Sequence, residues 1–289
     1  MASITPRTGK LGKRHAAHLL RRTSFQVTRK RIDQFAGFTV EDALKRLLVR
    51  PNAPAVPEPI DPNTGKAWLS NNQKLETGDY LLRRYVTSWW LHEAQRDHSI
   101  SHKMMFFLHT NFSTAANSGS SLNLFDHLNL LRFYALGSIK KLSVKITLDA
   151  LMLKYLGNHR SHKRHPNENY AREFLELFTI GKGPQKGSGD YTHYTETDVI
   201  QAARLLTGYR LYEKRDLTDP ETKLPRTSYF DPKAHDTEDK KFSRAFQNSV
   251  ISGGQDEKGM QRELDDFVNM VFNQEATAKH ICRKLYRFL

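Results

Sequence analysis

Between Pro166 and Gly181 the chain reads PNENYAREFLELFTIG, and no other stretch limits its folding so narrowly. Proline suits the first turn of a helix, where its missing N–H has no partner to lose, and glycine suits the stop at the far end. The spacing predicts one helix of about four turns. At about 100° per residue, Tyr170, Phe174, Leu177 and Phe178 form an apolar stripe. Asn169, Glu173 and Glu176 fall on a neighbouring face, with Arg172 at its edge and Glu168 one turn earlier. Glutamates three apart on one face repel, so this face should line a cleft where something offsets the charge. Arg172 can pair with Glu168 or Glu176, or a histidine or cation can arrive from elsewhere.

Helical patterning continues through the chain. Thr39 with Asp42 opens a helix striped by Val40, Leu44, Leu47 and Leu48. Apolar positions at helical spacing recur over 80–95, 101–112, 122–136, 138–156, 195–208, 264–272 and 281–288. No internal repeat and no alternation of strand and helix appears. Residues 212–255 are polar and aperiodic, with room for one short hairpin near 226–250. The expected fold is mainly α, a multi-helical domain with few or no strands. Five prolines between Pro51 and Pro62 exclude regular structure there. The expected organisation is a basic helical segment at 1–50, a proline-rich loop or linker at 51–77, and a main helical domain at 78–289.

Charge bears on partners. The formal net charge is +14, and Arg7, Lys10, Lys13, Arg14, Arg21, Arg22, Arg29, Lys30 and Arg31 precede the first acidic residue, Asp33. Such a field attracts a polyanion, whether nucleic acid or acidic glycan, without specifying which; equally, it can be a solvated face that keeps the chain soluble. The lone Cys282 excludes an internal disulfide framework and a cysteine-rich metal site. No apolar run suits a signal peptide or reaches the ~20 residues of a membrane span, so the chain reads as cytoplasmic.

Histidines supply the other candidates. HEAQR at 92–96 lacks the second histidine of a zinc-protease motif, since Arg96 stands in its place. His102 and His109 share a helix face at i, i+7, either as ligand or acid–base groups or as packing and surface residues. The run from Asn158 to His165, NHRSHKRH, interleaves histidines with Arg160, Lys163 and Arg164 just before the carboxylate helix, which favours an anion over a metal ion. His235 and Asp236 are adjacent, so in extended chain only one of the pair reaches a given site. The glycine-rich run after Gly181 has neither phosphate-loop spacing.

PNENYARE at 166–173 resembles the signature of the bacterial family catalogued as domain of unknown function 1800. AHLLRR at 17–22, LRFYALG at 131–137, LELFTIG at 175–181, YTETDV at 194–199, ARLLTG at 202–208, His235 with Asp236, and RKLYRF at 283–288 resemble the same family in the same order. The resemblance implies homology over nearly the whole chain, a family domain that continues past Leu289, relatives that are often exported, and a sulfatase-like protein as frequent company. Relatives tend to show HNHF where this chain has His109, Thr110, Asn111 and Phe112, so any metal held by two histidines there should be weakened by Asn111. The family itself has no established activity.

Two functional classes follow. In the first, Glu168, Glu173, Glu176 and His109 are catalytic, with Asn158, Asn167, Asn169, Arg172, His235 and Asp236 binding ligand. The carboxylates would act as acid and base or hold a divalent cation in a hydrolase acting on an envelope or extracellular polymer. In the second, the basic stretches bind a polyanion without catalysis, and the glutamates merely pair with nearby cations. An assembly or structural role is the third reading.

Overall fold

The computed structural model describes residues 7–50, 60, 63, 65–66 and 77–289, so nearly all of the proline-rich stretch lies outside the described residues. The chain is mainly α, as its periodicity predicts. Helices α1 (Gly12–Thr23), α2 (Arg29–Ala36) and α3 (Val40–Leu47) close over a small apolar cluster of Leu11, Ala16, Leu20, Phe35, Ala43 and Leu47. Thr28 and Thr39 cap the second and third helices, each accepting a backbone N–H at the third position. Arg31 joins this unit to the rest. It is 8% exposed and donates to Ser24 Oγ at 3.1 Å, Gln26 O at 3.1 Å and His98 O at 2.6 Å. Ile100 N also donates to Leu47 O at 2.9 Å.

The main body is built around α6 (Ser121–Phe133), buried over nearly its whole length, as a helix apolar on most sides must be. Around it lie α4 (Asp79–Arg96), α5 (Ser101–Asn111), α7 (Ile139–Thr147) and α8 (Ala150–Tyr155). The single helix expected over 138–156 is broken at Leu148–Asp149, because the Asp149 carboxylate accepts Met152 N at 2.9 Å and caps a new helix there. Helices α9 (Glu168–Glu173), α10 (Glu196–Leu205), α11 (Glu257–Phe272) and α12 (Glu275–Phe288) complete the set among the described residues.

The carboxylate helix also departs from expectation. After α9 the backbone widens into a π turn at Phe174–Phe178, whose i→i+5 bonding inserts extra backbone into the turn. Thr179 Oγ1 closes it on Phe174 O at 2.6 Å, and Gly181 N closes it on Leu175 O at 2.9 Å, with Gly181 at φ 72°. The widened turn rotates the stripe: Leu175 is buried and Leu177 is 43% exposed, the reverse of the regular-helix expectation. Phe174 meets Phe267, and Phe178 meets Phe112.

Strands are few. β1 (Tyr209–Leu211) pairs antiparallel with β2 (Ser228–Phe230), and β3 (Lys240–Lys241) pairs with β4 (Val250–Ile251), Lys240 opposite Ile251. The second pair is the hairpin expected near 226–250; the first returns β2 to a partner outside that region. Among the described residues no helix is long and apolar enough to cross a membrane.

Because the small N-terminal cluster has its own core, Leu47→Ala should cost about 2–5 kcal/mol locally. Hydrogen exchange should speed up in α1 to α3 while α6 and α11 keep their protection; a uniform loss across the chain would show one cooperative core instead.

Candidate functional site

The asparagines around the carboxylate helix build its entrance. Asn167 caps α9 by accepting Tyr170 N at 3.2 Å, donates Nδ2 to Leu156 O at 2.8 Å, and takes Ser161 Oγ at 3.0 Å through its own N–H. Asn158 is fully buried and donates to Leu206 O at 3.1 Å. Its Oδ1 has no partner among the described residues. Glu168 and Asn169 are exposed.

Arg172 pairs with neither Glu168 nor Glu176. It reaches across to Glu196 on α10, donating two hydrogen bonds of 3.0 and 2.5 Å to its two carboxylate oxygens. Glu176 finds other partners, with Lys182 Nζ at 2.5 Å and the Tyr194 hydroxyl donating at 3.2 Å. Glu173 is half-buried and accepts no hydrogen bond among the described residues. Burial, and then the charge of Glu176, push its pKa up against the opposing pull of Lys182 and Arg172. Burial and Glu176 also push the Tyr194 phenol up. Two carboxylates on one stretch of backbone therefore sit in contrasting surroundings.

The histidines on α5 do not act together. His102 Nδ1 faces Asp97 Oδ2 at 2.8 Å, whereas His109 packs its ring against His127, centroids 6.1 Å apart. His109 Nδ1 has no partner among the described residues, and burial, then His127, push its pKa down to about 4. Asn111 donates to Phe178 O at 3.2 Å and accepts Lys284 Nζ at 2.8 Å, so the chain brings an ammonium of its own to that position. Lys284 also donates to Leu177 O at 2.6 Å, and burial lowers its pKa. No group of three or more His, Cys, Asp or Glu among the described residues is arranged to hold a metal ion.

His235 and Asp236 diverge, as adjacency requires. Asp236 is bound by Arg204 at 2.7 and 3.1 Å. His235 turns inward, with Nδ1 facing Thr207 O at 2.9 Å and Nε2 facing Glu263 Oε2 at 2.8 Å. Gly254 N donates to the same Glu263 oxygen at 2.9 Å. Lys240 Nζ stands 2.6 Å from Glu263 Oε1, an ion-pair contact off the hydrogen-bonding direction. The Lys240 and Glu263 side chains are fully buried. Glu263 escapes sequence reading because its neighbours carry the apolar spacing of α11, and Lys240 because it stands in a run of charged residues that reads as surface. Arg160, Lys163 and Arg164 are exposed and make no ion pair among the described residues.

Residues 18–289 match the family described as Protein of unknown function (DUF1800). The chain belongs to that family. No curated protein and no solved structure matches it. In this DUF1800 chain the PNENYARE string divides its labour: Asn167 and Tyr170 hold the backbone, Arg172 ties α9 to α10, and Glu173 carries a carboxylate without a hydrogen-bond partner among the described residues.

A histidine whose folded pKa lies below its unfolded value of about 6.5 favours folding only while neutral. Its contribution is therefore lost as pH falls from about 6.5 towards the folded pKa of about 4. His109→Gln should remove on the order of 2–3 kcal/mol of acid sensitivity in that window. Urea midpoints of both proteins between pH 4 and 7 check this, and parallel curves would assign the sensitivity to other groups.

Proposed function

We propose that the chain is a hydrolase working by proton transfer, with Glu173 as general acid and Glu176 as general base. The observation that carries this reading is Glu173 itself: half-buried, with no hydrogen-bond partner among the described residues, and pushed towards its protonated form beside a second carboxylate. Glu176 is held in place by Lys182 Nζ at 2.5 Å and by the Tyr194 hydroxyl, which donates to it at 3.2 Å. Carboxylates in contrasting environments are how one site gives a proton to a leaving group and takes one from water. Lys182 already neutralises Glu176, so the reading runs through protons and assigns no divalent cation. By analogy with the sulfatase-like company of the family, its substrate is an envelope or extracellular polymer. Glu168 stays outside it as a solvent-exposed residue, and His109 as the neighbour of His127.

Release of chromophore from glycoside, ester and phosphodiester substrates tests the proposal. Glu173→Gln and Glu176→Gln should each lower kcat by roughly 100-fold or more. Because the Glu173 charge is disfavoured in the folded protein, Glu173→Gln should also hold or slightly raise Tm at pH 7, with the difference vanishing below about pH 4. Turnover unchanged in both variants would make the carboxylates structural.

A second reading rests on a separate observation. Lys10, Arg14, Arg21, Arg22, Arg29 and Lys30 are exposed, and the ion pair formed by a basic residue of α1 or α2 among the described residues is Lys13 with Asp33, 2.9 Å apart. Polyanion binding there would weaken steeply with salt as counterions are released. Titration of single-stranded DNA and of a sulfated glycan at 50 and 200 mM salt should give at least a tenfold loss of affinity; binding absent at low salt removes this reading.

A further inference from the structure

Thr114 lies half-buried in the connection between α5 and α6, with Oγ1 3.4 Å from His127 Nε2. His127 is wholly buried on α6, and its Nδ1 stands 2.9 Å from Asp149 Oδ2. Asp149 is 5% exposed, and the same oxygen accepts Met152 N at 2.9 Å, so capping α8 also aims the carboxylate. A carboxylate accepts, hence the Nδ1 proton points to Asp149 and the Nε2 lone pair faces the threonine hydroxyl. Carboxylate, imidazole and hydroxyl in that order is the arrangement that activates an oxygen nucleophile, and its final hydrogen bond shortens when substrate binds.

We propose that Thr114 is an acyl-accepting nucleophile, with His127 as its general base and Asp149 as the residue positioning that base, in a site that takes an ester. Thr114 Oγ1 bonds to the ester carbonyl carbon while its proton passes to His127 Nε2. The carbon–alkoxy bond breaks and the same proton leaves with the alcohol. Water then attacks the acyl-threonine, giving its proton to His127, and the threonine hydroxyl is restored as the carboxylic acid departs. The proposal is independent of Glu173 and Glu176.

A fluorophosphonate probe tests it, because Thr114 would form an oxygen–phosphorus bond with loss of fluoride. Intact mass should show one adduct, and peptide mapping should place it on Thr114 of the folded protein and not of the urea-unfolded protein. Thr114→Ser should keep the adduct, Thr114→Val should lose it, and His127→Gln should slow its formation by roughly 100-fold or more. An unmodified Thr114 in the wild type, or equal rates with and without His127, overturns the assignment. Should His127→Gln fail to fold, burst release of nitrophenol from nitrophenyl acetate decides. A burst present in wild type and Thr114→Ser but absent in Thr114→Val upholds the nucleophile, and an equal burst in all three overturns it.

Discussion

The π turn at Phe174–Phe178 is the constraint on which the rest of the carboxylate region depends. Its extra backbone shifts the buried face within the turn, so that Leu175 is buried and Leu177 turned outward while Phe174 and Phe178 stay inside. Such a turn needs help to persist, and Thr179 Oγ1 and Gly181 N supply it from the next few residues. Gly181 is required there twice over. Its φ of 72° is left-handed, and a Cβ at that position would lie 2.5 Å from His280 Nδ1. The carbonyls released at the end of the turn are used as well: Phe178 O takes Asn111 and Leu177 O takes Lys284, which fastens α5 and α12 to the same short stretch.

Buried charge is the second organising element. Glu263, Lys240 and His235 form a closed group in which each charge has a partner, and removing one partner from such a group typically costs about 3–5 kcal/mol. The group draws together α11, β3 and the turn after β2, so the sparse β structure is held by ion pairs as much as by its few ladder bonds. Asp126 plays a comparable part on α6. It pairs with Arg215, yet burial and the neighbouring Asp149 push its pKa up to about 6. The interior around α6 is therefore electrostatically tense, and His127 and Asp149 sit within that region.

The distribution of these groups separates two kinds of chemistry. On α9 and the π turn, carboxylates face partial solvent with exposed partners such as Lys182. Between α5, α6 and α8, an imidazole is locked from one side by a carboxylate that helix capping has already fixed. The first arrangement suits proton exchange with water, while the second suits activation of one fixed hydroxyl.

Helical periodicity and local caps were legible in the residue order because both act within a few positions: the Thr39 cap with Asp42 and the stripe of α11 stand where spacing put them. The divergence of His235 and Asp236 was legible for the same reason. Partners across the fold were not. Arg172 chose Glu196, Asn111 met Lys284, and His127 met Asp149, each through packing of helices far apart in sequence. The π turn was hidden too, since the string's apolar spacing also suits a regular helix, and the rings that pack against the wider turn, Phe112 and Phe267, come from segments far away in sequence. Local geometry is encoded by neighbouring residues and can be read from them; which charge meets which is decided by the shape of the whole chain.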